Sequence, residues 1–216
     1  MTNIERCFEL LGKNDFDGIR ELLKADPTCA PARDSNGVSL LMHSLYRGHR
    51  DVAELIAGQK KTLDIFEATS LGRLDKLGEL AQHSGAVNSR SADGFTALHF
   101  ACFFGQPESA RVLIENGAAV DAVAANPTRV MPLHSAASAR NLEAARLLLE
   151  HGAPVNARQQ WGWVPIHAAA QNGDRPMVEL LLKHHAGPKL ANDEGKTPAI
   201  VAREKGHQEI AALLEK

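Results

Sequence analysis

Residues Thr96–Gly105 read TALHFACFFG, and this ten-residue pattern returns along the chain. It reappears as MPLHSAASAR from Met131, VPIHAAAQNG from Val164 and TPAIVAREKG from Thr197. Upstream it weakens to SLLMHSLYRG from Ser39, LDIFEATSLG from Leu63 and, most degenerate, ERCFELLGKN from Glu5. Successive starts lie 34, 24, 33, 35, 33 and 33 residues apart. A fixed period of this size marks an array in which each copy is one supersecondary unit. One unit, beginning at Ser39, falls short of the period, and two extra residues lie between Asp121 and Val130.

Within a unit the local signals agree. Thr96 caps a short helix, Leu98, Ala101 and Cys102 make its apolar stripe, and Gly105 ends it. A second helix places Ala110, Val112, Leu113 and Ile114 inward and stops at Gly117. Between units the chain runs extended to a turn, Asp93-Gly94 ahead of this unit and Asn36-Gly37, Trp161-Gly162 and Glu194-Gly195 ahead of others. One such unit cannot bury its stripe, but stacked neighbours can. Alanines 101, 136, 137, 168, 169 and 202 let adjacent helices approach closely.

Thr96-Ala97-Leu98-His99-Phe100-Ala101 is similar to the TPLHxA signature of the ankyrin-repeat family, as are Met131–Ala136 and Val164–Ala169. Leu147–Asn156 matches that family's LLLxxGAxVN, and Val112–Asp121 does so loosely. The resemblance covers essentially the whole chain. It implies an all-α, ankyrin-type solenoid of about seven stacked helix-turn-helix repeats with projecting hairpin loops, in one domain over residues 1–216. Repeat motifs start near 5, 39, 63, 96, 131, 164 and 197, and the first and last act as caps, so the array is expected to be complete at both ends. The motif histidine is absent at Met42, Phe66 and Ile200. The shortened unit is expected to lack its projecting loop, with Gly58-Gln59-Lys60-Lys61 as a tight connection and a local change of superhelical curvature.

Composition narrows the function. The chain has 216 residues, 24 Lys and Arg against 26 Asp and Glu, and a formal net charge of −2. Nothing clusters positive charge as a phosphate backbone requires, so no nucleic-acid partner is expected. No apolar run reaches the ~18–20 residues of a membrane span, and the N-terminus carries no leader pattern. Three widely spaced cysteines, Cys7, Cys29 and Cys102, argue for a reducing compartment, with cytoplasm as the default.

No catalytic site is expected. His99, His134 and His167 recur with the repeat, and the resemblance gives them a structural role, bridging the first helix to loop backbone. His184-His185 with His151 could offer a weak surface metal site, but zinc wants three or four ligands in a tetrahedral array, and a solvated helix end is the simpler reading. Cys102 reads as a buried, inert thiol and Cys29 as an exposed loop thiol. Neither GxxxxGK[ST] nor GxGxxG occurs, and no cofactor is expected.

A partner surface is the remaining candidate. The resemblance places binding on a concave face built from loop tips and the ends of the first helices. The helix-end pairs are Tyr46-Arg47, Ser70-Leu71, Phe103-Phe104, Ser138-Ala139 and Gln171-Asn172. The chain has seven Phe, two Trp and one Tyr, and Tyr46, Phe95, Phe103, Phe104, Trp161 and Trp163 all fall in the expected concave set. Arg90, Arg129 and Arg158 sit beside them, which predicts one aromatic–arginine patch of interface-type residues. The competing expectation is that these rings pack against their own loops. The functional expectation is a non-enzymatic module binding a protein or peptide surface. A self-associating scaffold is the alternative, and an enzyme or a metal or ligand carrier the third reading.

Overall fold

The computed structural model describes residues 2–216, which form seven pairs of short helices. They are α1 (Asn3–Gly12) and α2 (Phe16–Ala25), α3 (Leu40–Tyr46) and α4 (Arg50–Gln59), α5 (Ile65–Leu71) and α6 (Leu74–Ala81), and α7 (Ala97–Phe103) and α8 (Pro107–Glu115). The last three pairs are α9 (Pro132–Ser138) and α10 (Leu142–Glu150), α11 (Pro165–Asn172) and α12 (Arg175–Lys183), and α13 (Pro198–Glu204) and α14 (Gln208–Leu214). No strand occurs among the described residues, so the chain is an all-α solenoid. Helices of seven to ten residues are too short to persist alone in water. Their stability comes from neighbours: α7 packs on α5, α8 and α9, and α11 on α9, α12 and α13.

Three histidines stitch the units together. The Nδ1 atom of His99 accepts the Thr96 amide (3.2 Å), while Nε2–H donates to the Val130 carbonyl in the following hairpin (3.0 Å). His134 joins the Met131 amide to the Ala157 carbonyl, and His167 joins Val164 to Lys196, in the same way. Each ring must therefore be neutral with the proton on Nε2. Burial pushes His99 and His134 down to about 4 and lowers His167 in the same direction.

The hairpins form a second ladder. Each closes on itself, as in Ser91 N–H to Phe95 O (2.8 Å) and Gln159 N–H to Trp163 O (2.8 Å). Each also bonds to the next: Ala125 to Gly94, Gln160 to Thr128, and Asp193 to Trp161. Gly94 has φ +87°, and a Cβ there would lie 2.9 Å from the Ala125 backbone, so both the turn and the ladder require glycine.

The short unit departs from this scheme. Only Lys60–Leu63 separate α4 from the Asp64 cap of α5, so the hairpin is missing as expected, but Gly58 and Gln59 belong to α4, not to the connection. The residue standing where the histidine stands elsewhere is Glu67, not Phe66. Glu67 accepts the Asp64 amide (3.1 Å), and its fully buried carboxylate accepts from Lys60 Nζ (2.6 and 2.7 Å). An ion pair reaching back along the chain thus replaces a bond reaching forward. With the hairpin gone, its neighbours converge: a Cβ on Gly37 would lie 3.2 Å from Cβ of Ala92, two units on. The apolar core also divides here. One cluster covers the first two units and takes in Leu71 and Phe100, the other covers the later units, and Phe66 packs against both.

Two further expectations are corrected. The first helix starts at Asn3 behind a Thr2/Glu5 capping box, ahead of the repeat phase at Glu5, and is ten residues long. Cys29 is buried, in a 3-10 turn (Pro27–Cys29) beside Cys7. Burial raises all three thiols, Cys7 to about 12, so none is a nucleophile at neutral pH.

Two predictions follow from these bonds. An imidazole held near 4 in the fold against about 6.5 in the unfolded chain binds its proton more weakly when folded. The stability it supports is complete above about pH 6.5 and declines as the pH falls toward 4. Thermal melts by circular dichroism should therefore drop steeply between pH 7 and 4.5, and His134→Asn should flatten that slope. Lys60→Met strands the Glu67 carboxylate and should cost about 3–5 kcal/mol in urea titrations, part of which Lys60→Met/Glu67→Leu should recover.

Candidate partner-binding surface

The aromatic residues converge where the short unit brings its neighbours together. Phe100, on the inner side of α7, is 3% exposed and forms the floor. Around it lie Phe66 (5.9 Å between centroids), Phe95 (5.7 Å), Phe104 (6.2 Å) and Tyr46 (6.3 Å). Tyr46 comes from α3, two units before α7, yet its ring stacks on Phe104 at 5.9 Å. The residues between them, Ser70 and Leu71, are buried rather than outward-facing. The Tyr46 hydroxyl donates to Asp93 Oδ2, and both burial and that carboxylate raise the phenol. Phe103 stands edge-on to Phe104 (5.2 Å, 82°) and is 50% exposed.

Tyr46 and Phe100 form a shared wall between two recesses. One, of ≈190 Å³, is lined by Tyr46, Phe95, His99, Phe100, Phe103 and Ser135. The other, of ≈170 Å³, lies over the missing hairpin, with Met42 and Phe66 inside and Arg33, Asp64, Arg90 and Asp93 around it.

The tryptophans do not join this cluster. Trp163 is half-buried against its own His167 (5.4 Å). Trp161 is 67% exposed and makes no ring contact among the described residues. Its backbone is left-handed (φ 60°), a conformation that costs a non-glycine residue roughly 1–2 kcal/mol. The single continuous patch expected from the sequence is therefore two separate groups of rings, because the unit of α9 and α10 between them carries no Phe, Trp or Tyr.

The arginines also part company. Arg90 and Arg158 donate to the carbonyls of Gly94 (3.2 Å) and Gly162 (3.1 Å), four residues on, as Arg33 does to Gly37 (2.8 Å). They brace their own hairpins while remaining solvent-exposed. The fixed R-x-x-x-G spacing was the sequence signal for this role. Arg129, like Arg47 behind Tyr46, is exposed and has neither an ion pair nor a side-chain hydrogen bond among the described residues.

Among the described residues no group of three or more His, Cys, Asp or Glu side chains is placed to hold a metal ion. No helix among them is long and apolar enough to cross a membrane.

Comparison with known proteins bears on this surface. The profile of a family described as ankyrin repeats (3 copies) matches residues 65–159 and 133–216. Protein phosphatase 1 regulatory subunit 27 of Mus musculus is 34% identical over 99 residues, covering 42% of this chain and 64% of that protein. The match thus spans less than two thirds of the relative's length.

Packing separates the two neighbouring phenylalanines. Phe100→Ala should cost about 3–5 kcal/mol, whereas Phe103→Ala should shift stability by under ~1 kcal/mol, since half its surface is already in water. Parallel urea titrations check both.

Proposed function

Because this chain belongs to the ankyrin-repeat family, a family of protein–protein interaction modules, we propose that it acts without catalysis, gripping a partner protein through its concave face and hairpin tips. The observation that carries this reading is the exposure of Phe103 and Trp161 at 50% and 67%. Both rings stand on helices and hairpins held by the histidine bridges. Large aromatic side chains on a rigid support supply interface energy at low entropic cost. Tyr46, Phe95, Phe104 and Trp163 form the walls behind them, and Arg90, Arg129 and Arg158 give the rim its charge. The rigid scaffold also suits binding with little rearrangement. We assign the module to the cytoplasm, a reducing setting consistent with three unpaired, buried cysteines.

A regulatory role is the finer form of this reading. It draws on the likeness to the mouse protein named as a phosphatase regulatory subunit. On this view the chain positions or restrains an enzyme that it binds.

Photo-cross-linking tests both parts. A benzophenone amino acid at Phe103 or Trp161 should capture the same partner, and one at Arg111 on α8 should not. Capture only from Arg111 would move the interface to the outer helices. If the captured partner is an enzyme whose activity is unchanged by the chain, the regulatory part fails and the interaction part stands. A dimer of this chain in the cross-linked product would instead favour self-association.

A further inference from the structure

We propose that the paired recesses around Tyr46 are the anchor site for an extended acidic segment of the partner, which buries one aromatic or leucine side chain against Phe100 and Phe103. This deepens the function proposed above and rests on it. The anchor site exists because the short unit lacks a hairpin. A normal unit would place its own loop between the hairpins carrying Gly37 and Ala92, but here Tyr46 spans the gap and stacks on Phe104.

Size and chemistry select the anchor. An apolar cavity of about 150 Å³ holds a benzene ring, and the ≈190 Å³ recess, open to solvent on one side, has room for one and an almost wholly apolar lining. A ring or leucine there would meet faces and edges of four aromatic residues, a favourable geometry for aromatic contacts. His99 adds no charge, since its Nε2–H is bonded to Val130 and burial keeps it neutral at pH 7.

Charge selects the flanks. Of the carboxylates bordering the recesses, Asp64 pairs with Arg33, while Asp93 accepts only from the Tyr46 and Ser91 hydroxyls and keeps its charge, offset by Arg90 on the same rim. Beyond this balanced rim, Arg47 follows the wall residue Tyr46 directly, and Arg129 precedes the Val130 carbonyl that receives His99. Both guanidiniums are exposed without an acidic partner among the described residues. Arg90 donates only to carbonyls. The local excess of unneutralised arginine favours carboxylates on either side of the anchor, and a basic segment would meet like charge.

Selection of phage displaying random dodecapeptides on the whole chain tests this, with anisotropy titrations of the enriched peptides. Expected are peptides with Phe, Leu or Trp within a few residues of several Asp or Glu. Their affinity should fall about tenfold or more with Phe103→Ala. Arg129→Glu should weaken them severalfold and reduce their salt dependence, while Lys205→Glu in the last unit should change nothing. Circular dichroism confirms that the variants fold. Basic or uncharged consensus sequences, full binding to Phe103→Ala, or no enrichment at all would each overturn the anchor site. None of these would remove the interaction reading, which stands or falls on the cross-linking at Phe103 and Trp161.

Discussion

A neutral imidazole with one nitrogen accepting and the other donating is the interaction on which the array depends. It satisfies the first amide of its own helix and a carbonyl of the next hairpin at once. The geometry of each unit is thereby passed to its neighbour. Burial enforces the neutral state, and the neutral state is the only one that allows Nδ1 to accept. The hairpin ladder from Gly94 to Asp193 follows, because the hairpins are held close enough to exchange backbone bonds.

The short unit shows what happens when that bond has no recipient. Without a hairpin between α4 and α5, an imidazole in α3 would have no following hairpin to donate to, and Met42 stands in its place; in α5, Glu67 reaches back to Lys60 across the short connection. The exchange costs desolvation of two charges, but it caps α5 and seals the connection. It also leaves an empty strip along the array. Neighbouring hairpins and the Tyr46 ring close over that strip, dividing the core and gathering the aromatic side chains that the rest of the array does not cluster. Loss of a structural loop and gain of a candidate binding site are one event, seen from two sides.

The proposed function rests on the few large side chains that packing leaves exposed. Phe104, Phe95 and Trp163 spend most of their surface on packing, so in the proposed function they form its walls. Phe103 and Trp161 are left facing solvent. The arginines divide in the same manner: those four residues before a hairpin glycine brace the turn, while Arg47 and Arg129 remain available.

The periodic features were legible in the sequence because each repeat poses the same local problem and solves it with the same residues. The helix pairs, the stripe of alanines, the turn glycines and the missing hairpin follow from spacing, and the bridging role of the three histidines was what the family resemblance implied. What spacing could not convey was any contact that the repeat does not itself repeat. That Tyr46 meets Phe104, that the tryptophans stand apart, that Cys29 is buried beside Cys7 and that Glu67 pairs with Lys60 were decided by tertiary structure. The Tyr46 contact depends on how helices pack across the one irregular unit, and the others on side-chain packing that the repeat pattern does not specify. Curvature is a sum of packing contacts over several helices, and no single stretch of sequence encodes it.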